Sequence, residues 1–480
     1  MKNEERIDQD IVHSKKIMAS YSMGQFFGQW INNTFGMFVF FFYETEMGLN
    51  VVLAATAFIL YSIWNAINDP LIGYLMERYE MPWEKKWGKR FPWVIIGAIP
   101  WAFSFALIFM VPLNLDPAND QGMIFLWMLF SICLFDTLLT LWNLGFYSMY
   151  PDKFRGLDER RTFGAIITVI GMTGLVASSL IPPIFVKFGD PNSYRMMAWV
   201  ITGIGIIFFL FSIPGIREDE VTKMRYRKRR EEAKYEEKKT FFQTVKMVIS
   251  DKVFMARVIF FFGYQTAALM LQASAPYMVN YVIRMEASSI TIFMGAMLIG
   301  AFLSIPIWIK LAKIKNDNRK MSLYAGWVMF FTFLPIFFAN NFMFFLISMV
   351  LFGIGVAGQW LVDPPTISDV FDDIAVRTGK RQEAIYFGYN SFIIKFGGIV
   401  QATVFASVHL LTGFPEGVSS YSELLATSPT PELALLGIRL HASIIPALIV
   451  LIANIIFWKM YDLKPEIVAQ NKIRLKELGL

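Results

Sequence analysis

The chain has 480 residues, of which 55% are hydrophobic, 16% aromatic and 17% charged, with a mean hydropathy of +0.47 and a net charge of +6. A soluble domain carries about 25% charged residues, so the composition excludes one and describes a polytopic membrane protein. A single cysteine, Cys133, excludes a disulfide framework and a thiol metal site, and His13, His409 and His441 are too scattered along the chain to suggest zinc.

The first sixteen residues are polar, without a cleavable apolar core, so the first membrane helix is expected to act as the signal. Apolar segments long enough to cross about 30 Å of hydrocarbon can then be marked twelve times. They lie near residues 17–43, 51–78, 92–112, 122–149, 162–187, 195–214, 252–282, 288–312, 321–339, 342–367, 383–411 and 436–460. Lys and Arg concentrate in alternate connections, such as Arg78 to Arg90, Lys153 to Arg161, Lys310 to Lys320 and Arg377 to Arg381. By the positive-inside rule both termini are expected to be cytoplasmic. Because the basic residues follow the membrane topology, nucleic acid is not an expected partner.

The charged run Arg217 to Lys239 divides the helices six and six. The expected organisation is a cytoplasmic N-terminus at 1–16, a six-helix bundle at 17–214, a cytoplasmic linker at 215–251, a second bundle at 252–460 and a cytoplasmic tail at 461–480. Two such bundles with matching short basic loops imply a transporter built from repeats, with its substrate near the midplane.

Helix one carries Gln25, Gln29, Asn32 and Asn33 as one polar stripe. Helix two contains W-N-A-I-N-D-P-L-I-G from Trp64 to Gly73, which places Asp69 deep in an apolar segment. A carboxylate there is costly and reads as a functional group facing a cavity or a partner. Asn65 lies one turn before Asp69 on the same face, and the two offer oxygen ligands to a small cation. A kinked helix whose acid pairs with a base is the plainer reading. Helix four carries Asp136, Thr140 and Asn143 on one face. The two stripes either face a common cavity or glue helices together, and Asp136 either restores a charge to the cavity or sits protonated beside a neighbour.

Further along, Tyr264, Gln265, Gln272, Trp360, Asp363 and Asn390 are candidates for an opposite wall, and Trp360 or Trp142 for stacking on a ligand, although a membrane Trp is more often packing. Asp369, Asp372 and Asp373 lie near the cytoplasmic end of helix ten, where gate or loop salt bridges with Arg377 and Lys380 are expected. No nucleophile–base pair, phosphate loop or metal cluster emerges, so neither an enzyme nor an ATP-driven pump is expected.

Taken together, N-A-I-N-D-P-L-I-G, W-G-K-R-F-P-W-V-I-I-G, F-F-F-Y-E-T-E-M-G-L, F-Y-S-M-Y-P-D and S-D-V-F-D-D-I-A-V-R-T-G-K-R-Q-E-A-I-Y-F resemble the glycoside-pentoside-hexuronide:cation symporters of the major facilitator superfamily, the melibiose-carrier type. The resemblance implies an all-α major facilitator fold, alternating access, and a sugar or glycoside moving with Na⁺, Li⁺ or H⁺. It places the family's paired cation-site acids at Asn65 and Asp69, its sugar-site acids at Gln29 and Asn143, and a basic residue near the cation site at Lys395. Three of those acids are amides here, which removes the charge-assisted, bidentate acceptance of sugar hydroxyls.

Exchange of Lys395 for a cation or proton at Asp69 is the expected coupling step, with H⁺ favoured over Na⁺ because one carboxylate suffices for a proton. The expected function is cation-coupled symport of a sugar or glycoside in the plasma membrane, by a monomer without a cofactor, surrounded by membrane lipid. The alternative cargo is a lysophospholipid, since C-L-F-D-T and P-P-T-I-S-D-V-F-D-D resemble a eukaryotic branch of the family. A non-transporting receptor or membrane enzyme is the reading from another class.

Overall fold

The computed structural model describes residues 12–79, 81–112, 114–154, 156–224, 248–380 and 383–478, and the regular structure among them is helical throughout. The principal helices are α1 (Lys15–Phe41), α2 (Val51–Arg78), α3 (Phe91–Ile108), α4 (Gln121–Lys153), α5 (Leu157–Leu180), α6 (Pro191–Ile216), α7 (Lys252–Tyr277), α8 (Ser289–Lys315), α9 (Asn318–Phe337) and α10 (Phe342–Thr378). They are followed by α11 (Glu383–Lys395), α12 (Gly397–Thr412), α13 (Pro431–Arg439), α14 (Ile445–Met460) and α15 (Pro465–Leu478). Eleven described segments are long and apolar enough to cross a membrane. The 27-residue α1 is not among them, because its four amides dilute its apolar content.

Several helices start where a short polar side chain satisfies an open backbone N–H. Asp251 accepts from Phe254 N at 3.0 Å, Asp317 from Lys320 N at 2.9 Å and Asn341 from Phe344 N at 2.9 Å. Such caps contribute about 1 kcal/mol each. Three boundaries differ from expectation. α10 does not stop near 367 but runs 37 residues through Pro364 and Pro365 to Thr378, so Asp369, Asp372, Asp373 and Arg377 ride on the helix itself. The eleventh expected helix is broken at Phe396, between Lys395 and the Gly397–Gly398 pair. Three short π-helical turns, Phe42–Glu46, Met278–Ile283 and Leu440–Ile444, interrupt or extend otherwise regular helices.

The chain forms two compact units, Met1–Tyr43 with Ile63–Lys238, and Glu44–Ser62 with Lys239–Leu480. Residues 44–62 therefore group with the second unit and not with the first bundle, as the expected boundaries had it. The reason is local bonding: Gly417 N donates to Glu44 O at 3.0 Å, and Asn50 Nδ2 donates to Glu416 Oε1 at 2.9 Å. In the first unit α1 packs on α5 and α6, and α3 on α4; in the second α8 and α9 pack on α10, and α7 on α14. The α8–α10 approach depends on glycine, since a Cβ on Gly300 would meet Val350 O at 2.0 Å and one on Gly353 would meet Met297 O at 2.0 Å. The C-terminal tail is helix α15, docked through Asn471 Nδ2, which donates to Asp373 Oδ1 at 3.1 Å.

Residues 225–239 of the charged run, and 240–247 after it, lie outside the described residues. Its beginning is more than a plain linker, because Glu218 accepts the backbone N–H groups of Lys89, Arg90 and Phe91 at 3.0, 2.6 and 3.1 Å and so caps α3. Beside it, Lys153 Nζ donates to Gly215 O at 2.5 Å and Arg217 O at 2.7 Å. Burial pushes this ammonium down to about 8, against the pull of Asp219, Glu218 and Glu159. A lysine lowered on folding binds its proton less well than in the unfolded chain, where it titrates near 10.4. Its contribution to stability therefore rises with pH from about 8 to about 10, and a Lys153→Met variant should lose that rise in thermal unfolding between pH 7 and pH 10.

Candidate functional site

Helix periodicity sets Asn65, Asn68 and Asp69 on one side of α2, and Asp136 and Thr140 four residues apart on α4. The structure brings the two faces together. Asn65 Nδ2 donates to Asp136 Oδ1 at 2.5 Å, and Asn68 Nδ2 reaches both Asp136 Oδ2 at 3.3 Å and Thr140 Oγ1 at 3.2 Å. Thr140 Oγ1 in turn donates to Asp69 Oδ1 at 2.6 Å. Trp64 Nε1 closes one edge, donating to Thr137 Oγ1 at 3.0 Å. Asp136 is 1% exposed and Asn68 2%, whereas Asp69 is half-buried.

This arrangement redistributes the roles read from sequence. Asp136 and Thr140, read as facing a cavity or gluing helices, join Asp69 and Asn65 in one polar cluster. Asn65, standing where the family resemblance implies an acid, hydrogen-bonds to a carboxylate supplied by α4. Two carboxylates, two amides and a hydroxyl thus converge on one spot, a donor set of hard oxygen atoms that suits an alkali cation or a proton. Asn68, the amide that links both acids, was missed; its position three residues after Asn65 on the same helix face was the available signal.

The other amides of the first unit divide between glue and open polarity. Asn33 Nδ2 donates to Ser179 Oγ at 3.0 Å, and Gln25 Oε1 accepts from Tyr147 Oη at 2.7 Å, both bonds between helices. Gln29 is half-buried, and Asn32 is exposed. Asn143 Oδ1 is buried with no hydrogen-bond partner among the described residues. Trp142 is 2% exposed and stacks between Trp101 and Phe146, each 5.1 Å away by ring centroid, which makes it core.

In the second unit, Asp363 and Asn390, two of the residues read as a wall, bind a buried cation that sequence reading missed. Arg257 is 2% exposed, donates to Asn390 Oδ1 at 2.6 Å and to Asp363, and lies 4.5 Å from the Phe261 ring centre. Trp360 is half-buried and packs against the apolar core of this unit. Lys395 ends α11 at the helix break, half-buried. Arg377 bridges Asp373 at 2.7 Å and Asp251 at 2.6 Å, while Asp369 accepts from Asn318 at 2.7 Å. Asp372 lies half-buried between them on the same helix.

Residues 20–464 match the family described as MFS/sugar transport protein. The chain belongs to that family. Among relatives of the MFS/sugar transport family, it is 24% identical over 454 residues to the sodium-dependent lysophosphatidylcholine symporter 1 of Gallus gallus, covering 86% of this chain and 80% of that one. The human protein of the same name is 23% identical over 453 residues, covering 86% and 77%. An uncharacterized symporter of Bacillus subtilis is 23% identical over 474 residues, covering 95% and 94%. In fold, the chain resembles the solved D-xylose-proton symporter with a TM-score of 0.61 at 13% identity, covering 93% and 97% of the two chains. The nucleoside transporter NupG gives 0.57 at 13% identity, covering 93% and 99%. The protein is thus a multi-pass membrane protein of a transporter family with the major facilitator fold.

Proposed function

We propose that this protein is a sodium-coupled symporter whose cargo is a lysophospholipid or a similar single-chain amphiphile. The observation that carries the reading is the polar cluster of Asp69, Asp136, Thr140, Asn65 and Asn68, which supplies two carboxylates where sequence alone credited one. One carboxylate favours a proton, but two restore the attraction needed for Na⁺, so the lean toward H⁺ at this cluster reverses. The named vertebrate relatives support both the ion and the cargo. The loss of charge at Gln29 and Asn143 supports a cargo that does not depend on carboxylates to bind hydroxyls, and the sugar reading gives way to its alternative.

In this reading α1 also crosses the membrane, giving twelve spans with both termini cytoplasmic, and the monomer works in the plasma membrane. Asp69 and Asp136 hold the ion; Lys395 answers its arrival, and Gln25, Gln29 and Asn143 contribute polar contacts to the cargo. Coupling requires that ion and cargo each bind one conformation better than the other. The test is thermal unfolding of the purified protein with lysophosphatidylcholine or with a panel of glycosides, in Na⁺ or in choline. Lysophosphatidylcholine at a hundred times its dissociation constant should stabilise by about 2.7 kcal/mol in Na⁺ and less in choline. Stabilisation by glycosides alone would return the cargo to sugars.

A further inference from the structure

The second unit encloses a chain of titratable side chains that the transport reading does not use. Tyr277 Oη donates to Glu44 Oε2, and Glu44 Oε1 lies 2.6 Å from His409 Nδ1. His409 Nε2 lies 3.2 Å from His441 Nε2, His441 Nδ1 lies 2.7 Å from Ser274 Oγ, and Ser274 Oγ lies 2.6 Å from Met270 O. Glu44, His409 and His441 are each 0% exposed. Two of them sit in the π-helical turns Phe42–Glu46 and Leu440–Ile444, and Tyr277 immediately precedes the third, Met278–Ile283. π-turns are rare and gather at functional positions. The histidines that looked scattered in sequence include a contacting pair.

Proton counting decides what this chain holds. Five contacts run from Tyr277 to Met270, and each needs one hydrogen. Tyr277 and Ser274 supply one each, so three must sit on Glu44, His409 and His441. An ionised carboxylate with two neutral imidazoles carries only two. With two protons one contact fails, and the buried cluster keeps a net negative charge; with three, every contact is made and the cluster is neutral. Both the hydrogen-bond requirement and the cost of an uncompensated buried charge select the three-proton state. His409 faces Glu44 with Nδ1 and His441 with Nε2, so the three groups do not converge on one metal ion.

We propose that Glu44, His409 and His441 form a proton-binding site, distinct from the cation cluster of α2 and α4, that ties the turn after α1 to α7, α12 and the turn before α14. Releasing its proton breaks the chain and loosens these elements from one another. The site lies at the end of the unit opposite the Arg377 bridges, because α7 begins beside Asp251 and ends at Tyr277, roughly 39 Å along at 1.5 Å per residue. The charged and titratable groups around it are Glu46 on the same turn, Glu416 and Glu423 on the segment after α12, Tyr281 and Arg284 after α7, and Arg439 before His441. The site does not depend on the identity of the cargo.

The chain has only three histidines, so ring ¹⁵N NMR of the histidine-labelled full-length protein in detergent reads each one. In the three-proton state His441 carries hydrogen on Nδ1, facing Ser274, and one of the two facing Nε2 atoms carries the hydrogen between the rings. We expect that pattern at pH 7 and its loss in a single one-proton step on raising the pH. His441 protonated on Nε2 at pH 7, with Ser274 donating to Nδ1, would overturn the proposal. Thermal unfolding gives a second measure. Above the range where free imidazoles have lost their protons, this site holds one proton more in the folded protein than in the unfolded chain and so lowers the folding constant about tenfold per pH unit, against the rise that Lys153 contributes. Glu44→Gln should remove that fall from the alkaline limb, so that its folding constant rises about tenfold per pH unit relative to wild type. An unchanged limb in Glu44→Gln, with the fold intact, would also sink the idea.

Discussion

Replacing Asp69 by Asn should reduce Na⁺-stimulated uptake of the transported amphiphile about 5- to 150-fold, the range of a 1–3 kcal/mol coupling energy, while Na⁺-independent binding of the cargo persists. Asp136→Asn should do the same, because the two carboxylates share one cluster through Asn68 and Thr140. The measurement is uptake into proteoliposomes with and without a Na⁺ gradient, for each single variant and for the double. Residues that act as one unit are strongly non-additive, so the double variant should lose little beyond either single. If Asp136→Asn transported with undiminished Na⁺ dependence, Asp136 would be a structural acid and the cluster a single-carboxylate site. Asn65→Ala removes one donor from buried Asp136 and should lower the stability of the fold by about 1–3 kcal/mol in thermal unfolding.

Arg257→Leu should destabilise the protein by about 3–5 kcal/mol, since it strands Asp363 and Asn390 in an apolar interior without their cation. Thermal unfolding in detergent reads this directly. Replacing Asp363 by Leu in the same chain should restore most of the loss, because a buried ion pair exchanged for apolar groups of like volume is often neutral in stability. Full stability in Arg257→Leu alone would mean that water reaches the pair and that the half-buried Asp363 is solvated without its partner.

Much of this organisation is legible along the chain. Apolar length marks eleven of the expected spans, and short motifs mark the family, because each of these signals is local. Helix faces were legible too: Asp136 and Thr140 share one, as do Asn65 and Asp69. Their meeting was not, since Asn65 and Asp136 are 71 residues apart and periodicity within a helix says nothing about which neighbour it will face. For that reason Asp136 read only as facing a cavity or gluing helices, and Arg257 drew no attention.

The sequence alone therefore determined the membrane class, eleven of the twelve expected spans and the family resemblance, all of which follow from hydropathy, charge and short motifs. Tertiary structure alone decided that α4 supplies the second carboxylate, that α10 carries its acids beyond the expected boundary, and that Glu44, His409 and His441 form one chain. The physical reason is common to all three. A buried polar side chain must find a partner, and the partner that satisfies it is fixed by helix packing over distances in sequence that no local pattern spans.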